Sequence, residues 1–192
     1  MDNQRRQWLK LASRSALTLP FAGLSPAFAA TREPYQEEEI YREAKEFFDT
    51  GAKELSDVLA KILKDKGSPN ALIKGTEGGG ALGVGVRYGH GDFGYRGAGR
   101  RRVYWQGPSI GFDAGANVVK MFALVYGLPN ADALFQRFPG VEGSLYFVGG
   151  FGMNYVQSQG ISIAPVRFGV GWRQGLSVSY MNFSRKKRLN PF

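Results

Sequence analysis

The chain has 192 residues, a formal net charge of +9, 43% hydrophobic and 14% aromatic residues; this is apolar material for one domain with a core, and it rules out a disordered tail. There is no cysteine and a single histidine, His90, which excludes disulfides, thiol catalysis, thiolate metal sites and cysteine lipidation and leaves little room for a histidine-built metal site or a Ser-His-Asp triad. Glycine, at 27 residues, stands near twice its usual share of roughly 7% and lacks the three-residue period of collagen.

Residues 1–29 read as an export signal. Arg5, Arg6, Lys10 and Arg14 face only Asp2; the run Ser15 to Leu24 is modestly apolar; Ala27-Phe28-Ala29 ends it with a small-residue exit. The apolar run falls short of the about 20 residues that a membrane-spanning helix needs, and it contains Pro20. Arg5-Arg6-Gln7-Trp8-Leu9-Lys10 is similar to a twin-arginine signal, with Gln4 where a small hydroxyl residue is usual. The alternative is a basic amphipathic helix that stays attached. Cleavage near Ala29/Ala30 would leave roughly 160 residues, one domain's worth, in the periplasm, and would take away the four basic residues and one acidic residue of the leader.

Residues 30–36, with Pro34, read as a flexible start. Glu37, Glu38 and Glu39 suit a helix N-terminus, and Ile40, Tyr41, Ala44, Phe47 and Phe48 keep one helical face. Leu55, Val58, Leu59, Ile62 and Leu63 form a second stripe that ends at Gly67-Ser68-Pro69. Two amphipathic helices, 37–49 and 52–66, are expected. From Ala71 the period becomes two, with Leu82, Val84, Val86 and Tyr88 alternating with glycine and arginine. The stretch 89–99 reads as a loop, 103–105 and 109–114 as short strands, and 118–126 as a buried strand. Asn130 suits the cap of a short helix running to Phe138. The runs 144–156, 161–173 and 176–183 read as strands, with hairpin links at Gln157-Ser158-Gln159-Gly160 and Gln174-Gly175. The expected fold is mainly β (α+β): a small, curled, antiparallel, barrel-like sheet of about seven to ten strands, two N-terminal helices and one short internal helix. One domain is expected over 37–184, followed by a basic tail at 185–192.

Few motifs offer chemistry. Gly107-Pro108-Ser109-Ile110-Gly111 fits G-x-S-x-G, but His90 precedes the serine and the strand pattern is not that of a hydrolase. Lys74 to Gly83 is glycine-rich like a phosphate cradle, yet it lacks Gly-Lys-Ser/Thr and a strand rather than a helix follows; it reads as tight turns and bent strands, with a backbone nest for a headgroup anion as the functional alternative. Glu77, Asp113 and Glu142 are the carboxylates available for acid–base work, and no spacing brings two together. Arg100-Arg101-Arg102 and Arg185-Lys186-Lys187-Arg188 read either as solvated charge or as contacts to an anionic surface, a phospholipid or an envelope glycolipid. Export argues against nucleic acid.

Several stretches resemble one family. These are Trp105-Gln106-Gly107-Pro108-Ser109-Ile110-Gly111-Phe112-Asp113, Phe122 to Pro129, Arg137 to Tyr146, Val166 to Gly171, Tyr35 to Ile40 and the ending Asn190-Pro191-Phe192. Together they are similar to the EipA family of exported bacterial proteins linked to cell-envelope integrity; Gly111 to Asn117 and Arg185 to Arg188 depart from it in detail. The resemblance implies a soluble periplasmic protein with a small barrel-like fold and flanking helices, a more distant similarity to lipid-binding SYLF domains, and no enzyme. It transfers no ligand or catalytic residue.

The functional expectation is therefore a non-catalytic binding module of the envelope, with a lipid or other envelope ligand in a cleft near Trp105, Gln106, Ser109, Asp113 and Tyr126, the residues clustered around the most family-specific stretch. The alternative is a scaffold contacting another envelope protein. No cofactor and no metal site are expected; peripheral membrane contact is compatible with this reading, a transmembrane helix in the mature chain is not.

Overall fold

The computed structural model describes residues 33–96, 98–169 and 180–188, without the side chains of 80–85 and 109–117. The expected leader, the Gln174-Gly175 link and the Asn190-Pro191-Phe192 ending lie outside the described residues.

Two helices open the domain, α1 at Glu37–Phe48 and α2 at Lys53–Lys66, within a residue of expectation. Glu37, Glu38 and Glu39 occupy the first turn of α1, where negative charge opposes the helix dipole. The helix stops at Asp49, which takes the left-handed conformation at φ 57°. The apolar stripes are buried: Ile40, Ala44 and Phe48 on α1, and Leu55, Val58, Leu59, Ile62 and Leu63 on α2.

Two long strands follow, β1 at Ala71–Tyr95 and β2 at Arg100–Tyr126. They pair antiparallel from Ala71↔Val125 to Gly94↔Arg100, with one register shift between Gly79 and Ala81. This corrects two expectations. The glycine-rich stretch up to Tyr95 is strand rather than loop, and the three separate strands expected between 103 and 126 are one continuous strand. The physical reason is that these glycines serve contact rather than turning. The ribbon doubles back on itself, and a methyl group at Gly75 would sit 2.2 Å from the His90 carbonyl oxygen, one at Gly91 2.1 Å from that of Lys74. Only a residue without Cβ allows backbones so close.

After β2, Asn130 does cap a helix: its side-chain oxygen accepts from the backbone N–H groups of Asp132 and Ala133. That helix is a single 3-10 turn, Ala131–Leu134, because the chain must re-enter the sheet as β3, Arg137–Pro139. The 144–156 run divides into β4, Tyr146–Val148, and β5, Phe151–Met153, before β6, Val156–Ser158. Gly149 and Gly150, at φ 55° and 86°, make the two-residue turn between β4 and β5, the geometry that matches strand twist. Gln159 and Gly160, at φ 49° and 79°, do the same between β6 and β7, Ile161–Phe168. The last described strand is β8, Tyr180–Ser184.

The sheet runs β3-β8-β2-β7-β5-β4, with β1 on the opposite edge of β2 and β6 on β7. A bridge between Gly140 and Val156, and the Val141 N–H donating to the Tyr155 carbonyl at 2.9 Å, join the β3 side to β6. The result is a curled antiparallel sheet closing towards a barrel. Odd-numbered positions of β2 and β7, such as Met121, Ala123, Ile161 and Ile163, fill the barrel interior. Even-numbered ones, such as Phe122, Leu124, Ala164 and Val166, face the helices. No helix among the described residues is long and apolar enough to cross a membrane.

Candidate functional site

A cleft of about 470 Å³ opens where the doubled ribbon meets the chain leaving β8. Thr76, Glu77, Gly78, Tyr88, Gly89 and His90 of β1 form one wall, and Arg102, Tyr104, Trp105, Gln106 and Val118 of β2 the other, with Lys187 and Arg188 at the mouth. Its volume falls within the class of small-ligand sites, roughly 300–1,000 Å³.

Trp105 is set by its cross-strand partner. It lies opposite Gly89, and a methyl group at Gly89 would stand 2.1 Å from the indole. The absent side chain is the space that the ring occupies. Trp105 is consequently buried, and its Nε1–H donates to Glu77 Oε1 at 2.8 Å.

Glu77 is the centre of a buried polar network. Arg167 donates from Nε to Oε2 at 2.8 Å and from Nη2 to Oε1 at 3.2 Å. Arg87 Nε lies 3.5 Å from Oε2. Arg167 also donates to Asn154 Oδ1 at 2.9 Å and is itself 0% exposed. Burial alone would push the Glu77 carboxyl up, but the Arg167 and Arg87 charges and the hydrogen bonds from Arg167 and Trp105 outweigh it and hold the carboxyl below its ordinary range. A carboxylate that accepts three hydrogen bonds and has a second guanidinium beside it is a weak base. It fixes the cleft floor and the orientation of Trp105. Among the described residues no three His, Asp or Glu side chains converge on a metal position.

The structure brings together only part of the expected site. Trp105 and Gln106 share the cleft wall. Ser109 and Asp113 lie on β2, their backbones opposite Gly85 and Ala81, and their side chains lie outside the described ones. Tyr126 is elsewhere: it belongs to the layer under the helices, so the expectation that it lies near Trp105 is corrected. Strand parity is the reason, because an even position of β2 in this half points away from the barrel interior. Its hydroxyl is buried without a hydrogen-bond partner among the described residues, and burial, with Tyr155 nearby, raises its pKa well above the ordinary tyrosine value.

The seven basic residues divide by role. Arg101 and Arg185 converge on Asp132, at 3.7 Å and 2.6 Å. Arg100 joins Tyr35, Glu39 and Arg96 around a smaller pocket on the α1 side of the sheet, where Glu39 pairs with Arg96 and Glu43 with Lys74. Lys186 is exposed. Arg102, Lys187 and Arg188 line the cleft. Sequence reasoning missed the Glu77–Arg167 pair and the walls Tyr88 and Tyr104. A signal existed: Ile73, Gly75 and Glu77 share one strand face, as do Ile163, Pro165 and Arg167, so each charge continues an inward-facing apolar series.

Comparison with known proteins agrees with this architecture. The model of the EipA family, envelope integrity protein A, matches residues 33–192. A solved structure of a beta-barrel-like, uncharacterized protein from Brucella abortus is 34% identical, superposes with a TM-score of 0.76, and is covered over 99% of its length by 83% of this chain. No curated protein matches the chain.

Proposed function

The chain belongs to the EipA family, and from that premise we propose that it is a non-catalytic periplasmic protein that supports cell-envelope integrity by holding an envelope lipid or similar ligand in the cleft. The observation that carries this reading is the cleft itself: about 470 Å³, with aromatic side chains giving apolar area and cations at its mouth. Its buried carboxylate is engaged by arginine and indole, so the walls offer recognition groups rather than an acid–base pair. The leader expected at 1–29 supports export by the twin-arginine route with cleavage near Ala29/Ala30, and the single domain at 37–184 would then reside outside the cytoplasm.

The test is native purification from the periplasm followed by mass spectrometry of whatever is extracted by organic solvent. A stoichiometric lipid is the expected result. Protein free of lipid, together with a defined crosslinked heteromer in cells, would replace this reading with scaffolding of another envelope protein. Changing Arg5 and Arg6 to lysine should stop export; a variant still processed and exported would remove the twin-arginine part.

A further inference from the structure

We propose that the cleft takes a phosphorylated amphiphile, its phosphate held at the mouth by Arg102, Lys187 and Arg188 and its apolar body against the aromatic walls. This deepens the reading above and rests on it. Three cations from two distant parts of the sequence meet at one opening. Among the described residues, the acids beside this opening are Glu77 and Asp92, and they leave an excess of positive charge there. Glu77 is taken by Arg167 and Trp105 on the floor, and Asp92 reaches only Arg102, at 3.5 Å on an exposed edge. Like charges gathered at a concave, partly apolar surface repel one another, and a bound anion relieves that repulsion. Arg102 offers a planar fork suited to phosphate oxygens, and Lys187 a compact point charge.

The position of the tail is built. As the chain leaves β8, the Ser184 hydroxyl donates to the Lys186 carbonyl at 2.8 Å. Arg185 then reaches across to Asp132, at 2.6 Å, and its guanidinium lies over the Phe135 ring, 4.8 Å from its centre. These contacts use Arg185 as an anchor and, beyond the exposed Lys186, deliver Lys187 and Arg188 to the cleft. The basic tail is thus divided between a strap and a clamp.

The experiment is calorimetric titration of the processed protein with dodecyl phosphate, dodecyl maltoside and inorganic phosphate, each below any micelle concentration. Dodecyl phosphate should bind about tenfold or more tighter than the maltoside, as expected for charge-assisted hydrogen bonds, and weaken as salt rises. The double variant Lys187→Gln, Arg188→Gln should bring the two amphiphiles to within about threefold of each other, and Asp132→Ala should lose part of the preference by freeing the strap. Lys186→Gln, which leaves the cleft lining intact, should behave as the parent. Equal affinity for the two amphiphiles in the parent would overturn the phosphate assignment and leave the cleft reading standing. Binding of neither would overturn the cleft reading as well. Inorganic phosphate binding as tightly as dodecyl phosphate would overturn the amphiphile part.

Discussion

The two buried layers of this molecule are packed by different rules. Under the helices, Ile40, Leu59, Ile62, Phe122, Leu124 and Val166 form a layer whose ionisable exceptions are tyrosines. Inside the barrel, Ile73, Met121, Phe138 and Ile163 belong to the apolar core, and the strands that supply it also carry a fully buried Glu77–Arg167 pair. Apolar burial stabilises in proportion to area and asks little of orientation. A buried ion pair contributes little net stability, since desolvation cancels the attraction, but removing one partner strands the other. The helix layer therefore holds the fold by quantity, and the barrel interior makes it conditional on three strands, β1, β2 and β7, meeting in one register. Those strands are the ones whose meeting shapes the cleft floor.

The largest effect should come from stranding a charge. Arg167→Met should lower unfolding free energy by about 3–5 kcal/mol, read by urea denaturation. It should also change the acid limb. Since Glu77 is held below its ordinary range, its contribution is present above about pH 4.3 and is lost as pH falls through its folded value; without Arg167 its folded value rises and this acid-side loss shrinks. A variant as stable as the parent would mean that the pair is not organising the interior. Next, Leu59→Ala in the helix layer should cost about 2–5 kcal/mol by transfer and cavity formation, with no change in the acid limb. A shift there would show that the two layers are coupled.

Gly91→Ala tests the doubled ribbon. The added methyl would meet the Lys74 carbonyl oxygen at 2.1 Å, and backbone displacement of this kind costs about 1–3 kcal/mol; the same denaturation curves would reveal it. A neutral result would mean that the two arms of β1 separate easily. The smallest effect is expected at Tyr126→Phe, within about 0.5 kcal/mol, because the hydroxyl has no partner among the described residues to lose. Its pH signature is more telling. Burial raises Tyr126, and burial with the Asp65 hydrogen bond raises Tyr155, so both stay protonated in the fold after the unfolded chain has ionised. Their contribution is complete below about pH 10 and declines as pH rises beyond it. Tyr126→Phe should flatten part of that alkaline decline in thermal unfolding midpoints measured between neutral and alkaline pH.

The sequence was readable where one residue's neighbours in the chain are also its neighbours in space. The stripes of α1 and α2, the Asn130 cap and the Gln159-Gly160 turn all depend on contacts within a few positions. Gly89 and Gly91 were misread for the opposite reason. Locally they look like loop residues, and only the opposing backbone or indole, many residues away, gives their lack of a side chain a purpose. Glu77 and Arg167, 90 positions apart in the chain, are the same case with charge in place of shape. Trp105 and Gln106, drawn from a family-specific stretch, line the cleft, whereas Tyr126, drawn in by the same reasoning, lies in the layer under the helices by strand parity.

Composition, periodicity and local stop signals were enough to specify two helices, an antiparallel curled sheet and a chain without thiol chemistry, because those properties follow from short-range sterics and from amounts of apolar surface. The folding of β1 back on itself, the charged pair in the barrel and the division of six of the seven basic residues among Asp132, the cleft lining and the α1 side belong to the assembled molecule. They exist only when distant segments exclude water together, so no window of the chain carries them.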